Sequence, residues 1–510
     1  MTGSVYLLGI DSGTTSCKAV LYTIDGEPVA TSSAQHKIYH PQPLWAEQDP
    51  DDWWRSAAKA IKDVIKASGI KREDIVGVSV DSQREAVVPL DRNGKKLLNG
   101  IIWLDQRAIP QQEKIKKILP LNEVLNITGV PIDYIFSAPK ILWIKEERAN
   151  VYKRTRKFLC AKDYIIYKLT GEMLTDYSMA SRTMLFDIKR LRWSEKICNE
   201  LGIDVDLLPP IKGSWEVAGE ISSDAAKLTG LKRGTPVACG GGDRPCEALG
   251  AGAVNAGTVN IGTGTGSVFE VPLSQPKIDV GGRIDCCCHV VPNRWEYEIL
   301  LNSTGASLSW FRDNFGFEEV TKSKELAISP YQLFDEEAST IDAGANNLFY
   351  YPYLWGARAP IFNPRARGVF FGFSHGHTRA HFIRAILEGV AFQYLGIIKI
   401  LEKLGVSVSK FRMVGGEAKS DFWNQIKADV INIPIEIPCV TEAASLGSAI
   451  LAGVATKTFT SIDKAVEATV KIGAVYKPRQ EFHKKYERIY EVYWRVYAFL
   501  EKAFNELEYR

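Results

Sequence analysis

The sequence predicts an α/β protein with two similar halves and a site in the cleft between them. The main observation is a strand–loop–strand pattern with a Gly- and Thr-rich loop, which occurs at 5–23 and again at 257–271. Segments with the apolar spacing of buried strands and amphipathic helices accompany both patterns. At 510 residues the chain exceeds one ordinary core, so two large domains or three smaller ones are expected. We place one boundary, between domains at 1–254 and 255–510.

The N-terminal half opens with a predicted hairpin and a capped helix. Its predicted elements are strands at 5–10, 17–23 and 75–80 and a helix at 49–69. Asp49 is the expected N-cap of that helix, and Gly69 is expected to end it. The strand at 75–80 is nearly all apolar, which is typical of a sheet covered on both faces. It leads into DSQRE at 81–85, at the end of the strand where α/β sheets carry functional residues.

The C-terminal half repeats this order of elements. Its predicted elements are strands at 235–240, at 285–291, at 411–416 and on both sides of the loop within 257–271, and helices at 378–405 and 420–432. The segment DCCCHVV at 285–291 has two interpretations, a core strand and a metal site. Adjacent residues of a strand point to opposite faces, so the three cysteines and His289 cannot all converge on one ion. The core strand is the favoured interpretation.

Charge and composition exclude several classes of protein. The net charge is +3, and no long basic block is present, so we expect no nucleic-acid partner. The N-terminus lacks the features of a signal peptide. The longest uncharged stretch, 248–269, is too rich in Gly, Thr and Asn to span a membrane. Nine cysteines without CxxC spacing indicate reduced thiols and a cytoplasmic location.

The two glycine loops are candidate phosphate-binding loops. GTTS at 13–16 and GTGTG at 262–266 can present backbone N–H groups and hydroxyl donors to an anion. Neither loop is a P-loop, and neither opens a helix as a dinucleotide-binding loop would. Taken alone, each is also explained as a hairpin turn. The pairing of the loops, with charged residues beside them, favours phosphate binding.

Three charged residues accompany the loops. Asp11 ends its strand directly before GTTS, where a carboxylate can hold the water shell of a phosphate-bound Mg²⁺. Lys18 adds a positive charge on the return strand, although an ordinary exposed lysine would explain it equally. Asp243 follows three glycines and precedes Pro245, near a helix N-terminus. It is either a helix N-cap or an ionised general base for a hydroxyl proton.

These residues resemble the FGGY carbohydrate kinases of the actin–hexokinase superfamily over essentially the whole chain. The matching segments occur in family order: GIDSGTTSCKAVLY (9–22), LWAEQDPDDWW (44–54), QRE (83–85), IIWLDQRA (101–108), GGGD (240–243), GTGTGS (262–267), RARGVFFGFSHGHTRAHFIRAILEGVAF (365–392) and VGGEAKSDFWNQIKADV (414–430). The resemblance implies two actin/hexokinase-like (ribonuclease H-like) domains of mixed sheet flanked by helices, with a cleft between them. It also implies ATP and Mg²⁺ as cofactors, a sugar or polyol as the partner molecule, and no membrane partner. A homodimer is the assembly we consider.

The resemblance also assigns roles to individual residues. Asp243 would be the catalytic base, and Asp11 and Asp243 would associate with Mg²⁺. The residues implied for substrate binding are Gln83, Arg84, Glu85, Trp103, Asp243 and Arg244. The residues implied for ATP binding are Gly13, Thr14, Thr15, Lys18, Gly262, Thr263, Gly264, Gly415, Gly416 and Asn424. Lys18 stands where glycerol kinases carry Arg, which keeps the charge but loses the bidentate fork.

The segments divide between two kinds of substrate. The triplet at 83–85 resembles glycerol kinases, whereas WAEQDPDDWW (45–54) and FSAPKILWI (136–144) resemble xylulokinases. We predict a ketopentose such as D-xylulose, with glycerol or another polyol or sugar as the alternative. Arg84 and Arg244 would together also suit an anionic or heavily hydroxylated substrate. Hypotheses from other classes are an actin-like ATPase without a sugar substrate and a catalytically silent sugar sensor.

Overall fold

The computed structural model describes residues 5–507, which form two compact units. The first unit comprises the chain up to Asn255 together with Pro272–Tyr297 and Glu442–Lys471. The second comprises Ala256–Val271, Glu298–Thr441 and the chain from Ile472 onward. The domains expected at 1–254 and 255–510 remain a prediction. The two units differ from them chiefly in assigning Pro272–Tyr297 and Glu442–Lys471 to the first unit.

The strands of both units are mostly short. In chain order they are β1 (Tyr6–Ser12), β2 (Ser16–Thr23), β3 (Pro28–Gln35), β4 (Glu47–Gln48), β5 (Ile75–Ser82), β6 (Val88–Leu90), β7 (Gly100–Ile101), β8 (Lys157–Leu159), β9 (Thr175–Asp176), β10 (Phe186–Asp187), β11 (Arg192–Trp193), β12 (Ile211–Lys212), β13 (Val217–Glu220), β14 (Pro236–Ala238), β15 (Gly241–Gly242), β16 (Thr258–Thr263), β17 (Ser267–Leu273), β18 (Asp285–Cys288), β19 (Trp295–Leu301), β20 (Phe349–Tyr351), β21 (Val369–Phe371), β22 (Lys410–Gly415), β23 (Ile435–Pro438) and β24 (Ile472–Tyr476).

The helices range from a single turn to more than seven turns. In chain order they are α1 (Pro50–Ser68), α2 (Ile109–Ile118), α3 (Leu121–Thr128), α4 (Ser137–Glu147), α5 (Ala149–Arg154), α6 (Ala161–Thr170), α7 (Tyr177–Ser181), α8 (Glu195–Leu201), α9 (Ser223–Thr229), α10 (Asp243–Gly250), α11 (Thr304–Phe315), α12 (Phe317–Leu326), α13 (Pro330–Ser339), α14 (Arg379–Lys403), α15 (Asp421–Ile431), α16 (Ala443–Ala455), α17 (Ile462–Thr469) and α18 (Gln480–Glu506). Short 3₁₀ turns lie at Arg72–Asp74, Val205–Leu207, Ala345–Asn347 and Glu417–Lys419.

The main sheet of the first unit is mixed, with strand order β13–β14–β5–β1–β2–β3 and β15 beside β5. β1 pairs antiparallel with β2 and parallel with β5. This parallel pairing brings the ends of β1 and β5 to one edge, so that Asp11 lies opposite Asp81. The core on this sheet includes Leu8, Ile61 and Val78, all fully buried. The sheet therefore presents two strand-end carboxylates side by side.

The second unit repeats the same pairing pattern. Its sheet runs β19–β17–β16–β22–β23–β24, in which β16 pairs antiparallel with β17 and parallel with β22. The hairpin of β16 and β17 thus corresponds to that of β1 and β2, and β22 corresponds to β5. The two-domain α/β fold of mixed sheets flanked by helices is confirmed, and so is the repetition of the hairpin.

Local signals place α1 as the sequence predicts. Asp49 caps the helix by accepting a hydrogen bond from the N–H of Asp51 at 2.8 Å, and Pro50 is its first residue. Gly69 ends the helix with the left-handed φ of 66° that glycine adopts without a side-chain clash. These contacts lie within a few residues of each other in sequence, which explains why the helix could be predicted to within one residue at each end.

The cysteine-rich segment forms β18 in the first unit. Cys286, Cys287 and Cys288 are all buried, and the backbone N–H of Cys286 donates to the carbonyl of Gly129. The strand is therefore packed in the core, as the favoured interpretation has it. Across residues 5–507, none of the helices is both long enough and apolar enough to cross a bilayer.

Candidate active site

Asp243 lies at the start of α10, where a short glycine strand delivers the chain to the helix. Gly242 is the N-cap and Asp243 the first helical residue, so the N-cap alternative for Asp243 is wrong. The Asp243 carboxylate lies 3.3 Å from Arg84 Nε, and its side chain keeps one third of its surface exposed. Burial raises the pKa of Asp243 above its ordinary value, while the positive charges of Arg84 and Arg244 oppose this shift. The carboxylate is thus held beside an arginine and open to a ligand.

The Arg84 side chain occupies the space that a side chain at position 242 would need, so only glycine fits there. A Cβ atom built on Gly242 would lie 2.3 Å from Cδ of Arg84, far inside van der Waals contact. Arg84 follows β5 and is itself only 6 % exposed. Because Gly242 has no side chain, the buried Arg84 side chain can lie directly against the backbone next to the Asp243 carboxylate. The contact explains why glycine is required directly before the candidate base.

Three carboxylates form an acidic cluster in the first unit: Asp11, Asp81 and Asp243. Burial, and then the charge of Asp243, raise the pKa of Asp11 to about 6. Burial, and then the charge of Asp11, raise the pKa of Asp81 well above its ordinary value. Asp81 Oδ2 accepts a hydrogen bond from Ser448 at 2.6 Å, whereas its buried Oδ1 has no hydrogen-bond partner among the described residues. The cluster therefore carries uncompensated acceptor capacity.

A hydrated divalent cation fits the acidic cluster. Mg²⁺ characteristically binds one or two protein carboxylates, keeps several waters and takes its remaining oxygens from phosphate. Asp11 and Asp81 supply such carboxylates, and a cation between them would relieve the repulsion that raises their pKa values. Within the described part of the chain, no three His, Cys, Asp or Glu side chains are grouped to hold an ion unaided. The fit is thus to an ion bound largely through water and substrate.

The GTTS loop is held in place by side chains from several segments. Trp103 Nε1 donates to Thr14 Oγ1 at 3.1 Å, and Thr14 Oγ1 donates to Gln83 Oε1 at 3.3 Å. Gln48 Nε2 donates to the Thr14 carbonyl at 2.6 Å, and Gln83 Nε2 donates to Gln48 Oε1 at 2.6 Å. Gln83, expected to bind substrate, thus uses its amide to fix the loop, and Trp103 remains 37 % exposed beside it.

His36 holds the rest of this loop through its backbone and ring. Its ring Nε2 lies 3.0 Å from the carbonyl oxygen of Gly13, and its backbone N–H donates to the Thr15 carbonyl at 3.0 Å. The Thr15 residue is exposed. The loop carbonyls are consequently engaged with the protein, which is what a loop that offers its N–H groups to an anion requires.

Lys18 and Arg244 each have an acidic neighbour. Lys18 lies opposite Asp11 in the hairpin, and its ammonium forms an ion pair with Glu442. Arg244 Nη1 donates to Glu247 Oε2, 3.1 Å away and one turn along α10. Both basic side chains keep about a third of their surface exposed, 31 % and 35 % respectively. Each can therefore meet a ligand while remaining partly neutralised.

The second unit contains a separate cavity of about 740 Å³. This volume is in the range that encloses ligands of nucleotide size. Gly264 and Gly416, both expected to bind ATP, lie in its wall. Its other side is formed by residues of α11, α13 and α15, among them Ser309, Tyr331, Gln332, Asp335 and Phe422. The cavity thus joins the second glycine loop to the segment after β22.

The end of β22 is held against the second glycine loop by close contacts. Gly415 has a φ of 93°, and a Cβ atom there would lie 2.0 Å from the carbonyl oxygen of Thr263. Thr263 Oγ1 donates to the Val414 carbonyl at 2.6 Å. Asn424, expected to line the adenosine, is fully buried and instead donates to the Ala418 carbonyl at 2.9 Å. Gly262 lies within β16, and a role in ATP binding stays a prediction for all of these residues.

Sequence reasoning missed four residues of these two regions: Asp81, Arg182, Asp335 and Glu442. The signal for Asp81 was present, because DSQRE begins with it at the end of a buried strand. Arg182 donates a hydrogen bond to Glu85, which lies 97 positions away in the sequence, and Glu442 accepts one from Lys18, which lies 424 positions away. Asp335 lies in a helix that carries no motif. For these three, no local pattern could have supplied the contact.

The class of protein follows from the comparison of these features with known families. The model of the N-terminal domain of the FGGY family of carbohydrate kinases matches residues 6–250, and that of the C-terminal domain matches residues 259–456. The chain belongs to the FGGY family of carbohydrate kinases. It is accordingly a carbohydrate kinase, an enzyme that transfers a phosphoryl group to a sugar or polyol hydroxyl.

Relatives with two different names resemble the chain to the same degree. The xylulose kinase of Bacillus subtilis (strain 168) is 31 % identical over 97 % of each chain. The gluconokinase of the same strain is 32 % identical over 98 % of this chain and 97 % of its own. Among solved structures, the ligand-bound xylulose kinase from Lactobacillus acidophilus superposes with a TM-score of 0.88 at 27 % identity, covering 99 % of this chain and all of its own. These relatives share the family of the chain but carry the names of kinases for two different sugars.

Proposed function

We propose that this protein transfers the γ-phosphoryl group of ATP to a hydroxyl of a ketopentose, with D-xylulose as the first candidate. The observation that carries the proposal is the position of Asp243, one third exposed at the start of α10 and 3.3 Å from Arg84. The similarity to xylulose kinases over 97 % of the chain supports the choice of sugar. A cytoplasmic location and a homodimer remain predictions.

In this proposal Asp243 is the general base. Its carboxylate accepts the proton of the attacking hydroxyl while that oxygen bonds to the γ-phosphorus and ADP departs. The raised pKa of Asp243 makes it a better proton acceptor than an ordinary aspartate. Arg84 Nε lies 3.3 Å from this carboxylate, and its positive charge favours the ionised form of Asp243 before reaction.

The remaining residues bind and orient the two substrates. The sugar contacts Arg84, Glu85, Trp103 and Arg244. Gln83 acts indirectly, because its amide positions the GTTS loop. The backbone N–H groups of Gly13, Thr14 and Thr15, the hydroxyl of Thr15 and the ammonium of Lys18 bind phosphate oxygens. In the second unit, Gly262, Thr263, Gly264, Gly415, Gly416 and Asn424 form or support the nucleotide site. Asp11, Asp81 and Asp243 would hold Mg²⁺ through its waters, and the ion would neutralise charge on the phosphates.

A sugar acid is the second candidate substrate, and Arg244 favours it. The guanidinium follows the candidate base directly and is 35 % exposed. The planar guanidinium fork of arginine matches the geometry of a carboxylate, so Arg244 suits an acidic group on the substrate. The gluconokinase of Bacillus subtilis, 32 % identical, is consistent with this candidate.

A panel of acceptors tests the proposal. ADP release would be measured with D-xylulose, glycerol, D-gluconate and no acceptor, with and without Mg²⁺. We expect release to depend on both the acceptor and Mg²⁺, and kcat/KM to be highest for D-xylulose. A higher value for D-gluconate would replace the first candidate with the second. Release without any acceptor would instead indicate an actin-like ATPase, and binding without release a sensor.

A further inference from the structure

Glu85 is held in an unusual backbone conformation close to the candidate base. Its φ is 62°, in the left-handed region that residues other than glycine rarely occupy. Its side chain is only 7 % exposed. The ammonium of Lys140, fully buried, donates to the Glu85 carbonyl at 2.8 Å and to the Ile135 carbonyl at 2.7 Å. The backbone strain is thus maintained by a buried lysine, as expected for a residue whose direction matters.

Arg182 fixes the carboxylate of the same residue. Its Nε donates to Glu85 Oε1 at 2.6 Å, and its Nη1 donates to Asp285 Oδ2 at 2.6 Å. The guanidinium also lies over the ring of Phe136, 4.9 Å from its centroid, and its side chain is 8 % exposed. A side chain held at two ends and over one face has little rotational freedom. Arg182 is therefore a rigid support for the Glu85 carboxylate.

The charges of this cluster balance. Arg182 and Lys140 supply two positive charges, and Glu85 and Asp285 supply two negative ones, within a mostly buried region of the first unit. A buried carboxylate is stable in its ionised form only when it is paired and hydrogen-bonded. The planar fork of arginine can meet two carboxylates at fixed angles, whereas one lysine ammonium cannot reproduce that geometry. This makes the identity of Arg182, and not only its charge, important.

We propose that Arg182 is a positioning residue that aims Glu85 at a sugar hydroxyl. Arg182 engages Oε1 of Glu85, so Oε2 is the oxygen that would accept the hydroxyl hydrogen. Asp285 acts one step further away by fixing the other end of the guanidinium. The proposal rests on the proposed function, because it needs a sugar to be bound beside Glu85.

The first test compares Arg182→Lys with a surface control, Arg190→Lys. Arg190 belongs to the same unit, is 70 % exposed and lies 3.8 Å from Asp187. Loss of one charged hydrogen bond to a ligand costs about tenfold or more in affinity. Arg182→Lys should therefore raise the sugar KM by about tenfold and leave the ATP KM near wild type. Arg190→Lys should change none of these quantities.

The second test is a double-mutant cycle with Glu85→Gln. If Arg182 acts through the Glu85 carboxylate, Arg182→Lys should raise the sugar KM much less in the Glu85→Gln background than in wild type. With a purely structural role, Arg182→Lys would raise the sugar KM by the same factor in both backgrounds and would raise the ATP KM as well. Asp285→Asn, which keeps the shape of the side chain, should give a weaker version of the Arg182→Lys effect.

The wild-type protein separates failure of this inference from failure of the proposed function. If wild type phosphorylates a sugar and Arg182→Lys leaves the sugar KM unchanged, the positioning role is overturned and the kinase assignment stands. If wild type phosphorylates no acceptor, the proposed function fails, and the inference that depends on it falls as well. Independent effects of Arg182→Lys and Glu85→Gln would also overturn the positioning role.

Discussion

Asp11, Asp81 and Asp243 repel one another before any cation binds. Burial raises the pKa of each residue, and the neighbouring carboxylates raise the values for Asp11 and Asp81 further. A group of this kind lowers the stability of the free protein and strengthens binding of a cation that neutralises it. At the scale of single residues, function and stability are therefore opposed in this cluster.

Replacing Asp11 tests this opposition. Asp11 titrates near pH 3.9 in an unfolded chain and at about 6 in the folded protein. The folded protein holds more protons between these values, so wild-type stability falls as pH rises through this window. Asp11→Asn should therefore melt higher than wild type in metal-free buffer above pH ~6, by about 2–4 °C for each kcal/mol gained. The advantage should disappear below pH ~4, where Asp11 is protonated in both states.

The same variant should lose turnover that depends on Mg²⁺. The control is Asp25→Asn, at an exposed turn of the same unit, which should change neither the melting temperature nor the activity. Thermal melts across pH, alongside an Mg²⁺ titration of turnover, measure both effects. An Asp11→Asn protein with wild-type activity at every Mg²⁺ concentration would exclude Asp11 from the metal site.

At the scale of elements, the backbone at Gly242 and at Gly415 is in each case shaped by one contact that leaves no space for a side chain. The contact is with Arg84 in the first unit and with the Thr263 carbonyl in the second. Gly242 ends β15, which lies beside β5. Gly415 ends β22, which lies beside the hairpin strand β16. A loop built in this way keeps its backbone in one conformation before a ligand arrives. Such preorganisation lowers the entropic cost of binding.

Gly415 offers a test with a control in the next residue. Gly415→Ala would place a Cβ atom 2.0 Å from a carbonyl oxygen, at a φ of 93°. Left-handed strain alone costs about 1–3 kcal/mol, and the clash adds to it. Gly416 has a φ of −67° and no atom within 4 Å of a built Cβ, so Gly416→Ala should stay within ~0.5 kcal/mol of wild type. Equal melting temperatures for the two variants would contradict the assigned loop geometry.

The elements that could be predicted from the sequence are those whose determinants are local. The limits of α1 follow from Asp49, Pro50 and Gly69, which contact the helix within a few residues. The two hairpins follow from alternating apolar residues around Gly- and Thr-rich turns. The family resemblance then assigned Asp243 and Arg84, and the structure brings their side chains to within 3.3 Å.

The parts that could not be predicted depend on contacts between distant segments. Asp81 is paired with Asp11 by the parallel register of β1 and β5, and its hydrogen bond comes from Ser448, 367 positions away. Arg182 lies just after the single-turn helix α7, whose sequence carries no catalytic motif. The helix α13 also lines the cavity of the second unit, but its sequence carries no motif that indicates a binding site. These assignments required the folded chain.

At the scale of the whole molecule, the chain carries its candidate chemistry in two compact units. The first unit holds the acidic cluster, the GTTS loop and the residues proposed to bind the sugar. The second holds the cavity of about 740 Å³ proposed for the nucleotide. Changes at the residues proposed to bind the sugar should therefore affect the sugar, whereas changes in the GTTS loop, at Asp11 or Asp81, or in the cavity should affect the nucleotide.

Asp243→Asn tests the central claim most directly. Asn keeps the shape of the side chain but cannot accept the hydroxyl proton, so kcat should fall by about 10²–10⁴-fold. Calorimetric ATP binding and the melting temperature should stay near wild type, because the cavity lies in the other unit and Gly242, not Asp243, is the N-cap. Asp224→Asn, at an exposed carboxylate in the first turn of α9, is the matched control and should keep full activity. The account predicts this loss of kcat with intact ATP binding, whereas an Asp243→Asn protein that keeps more than about a tenth of wild-type kcat would contradict it.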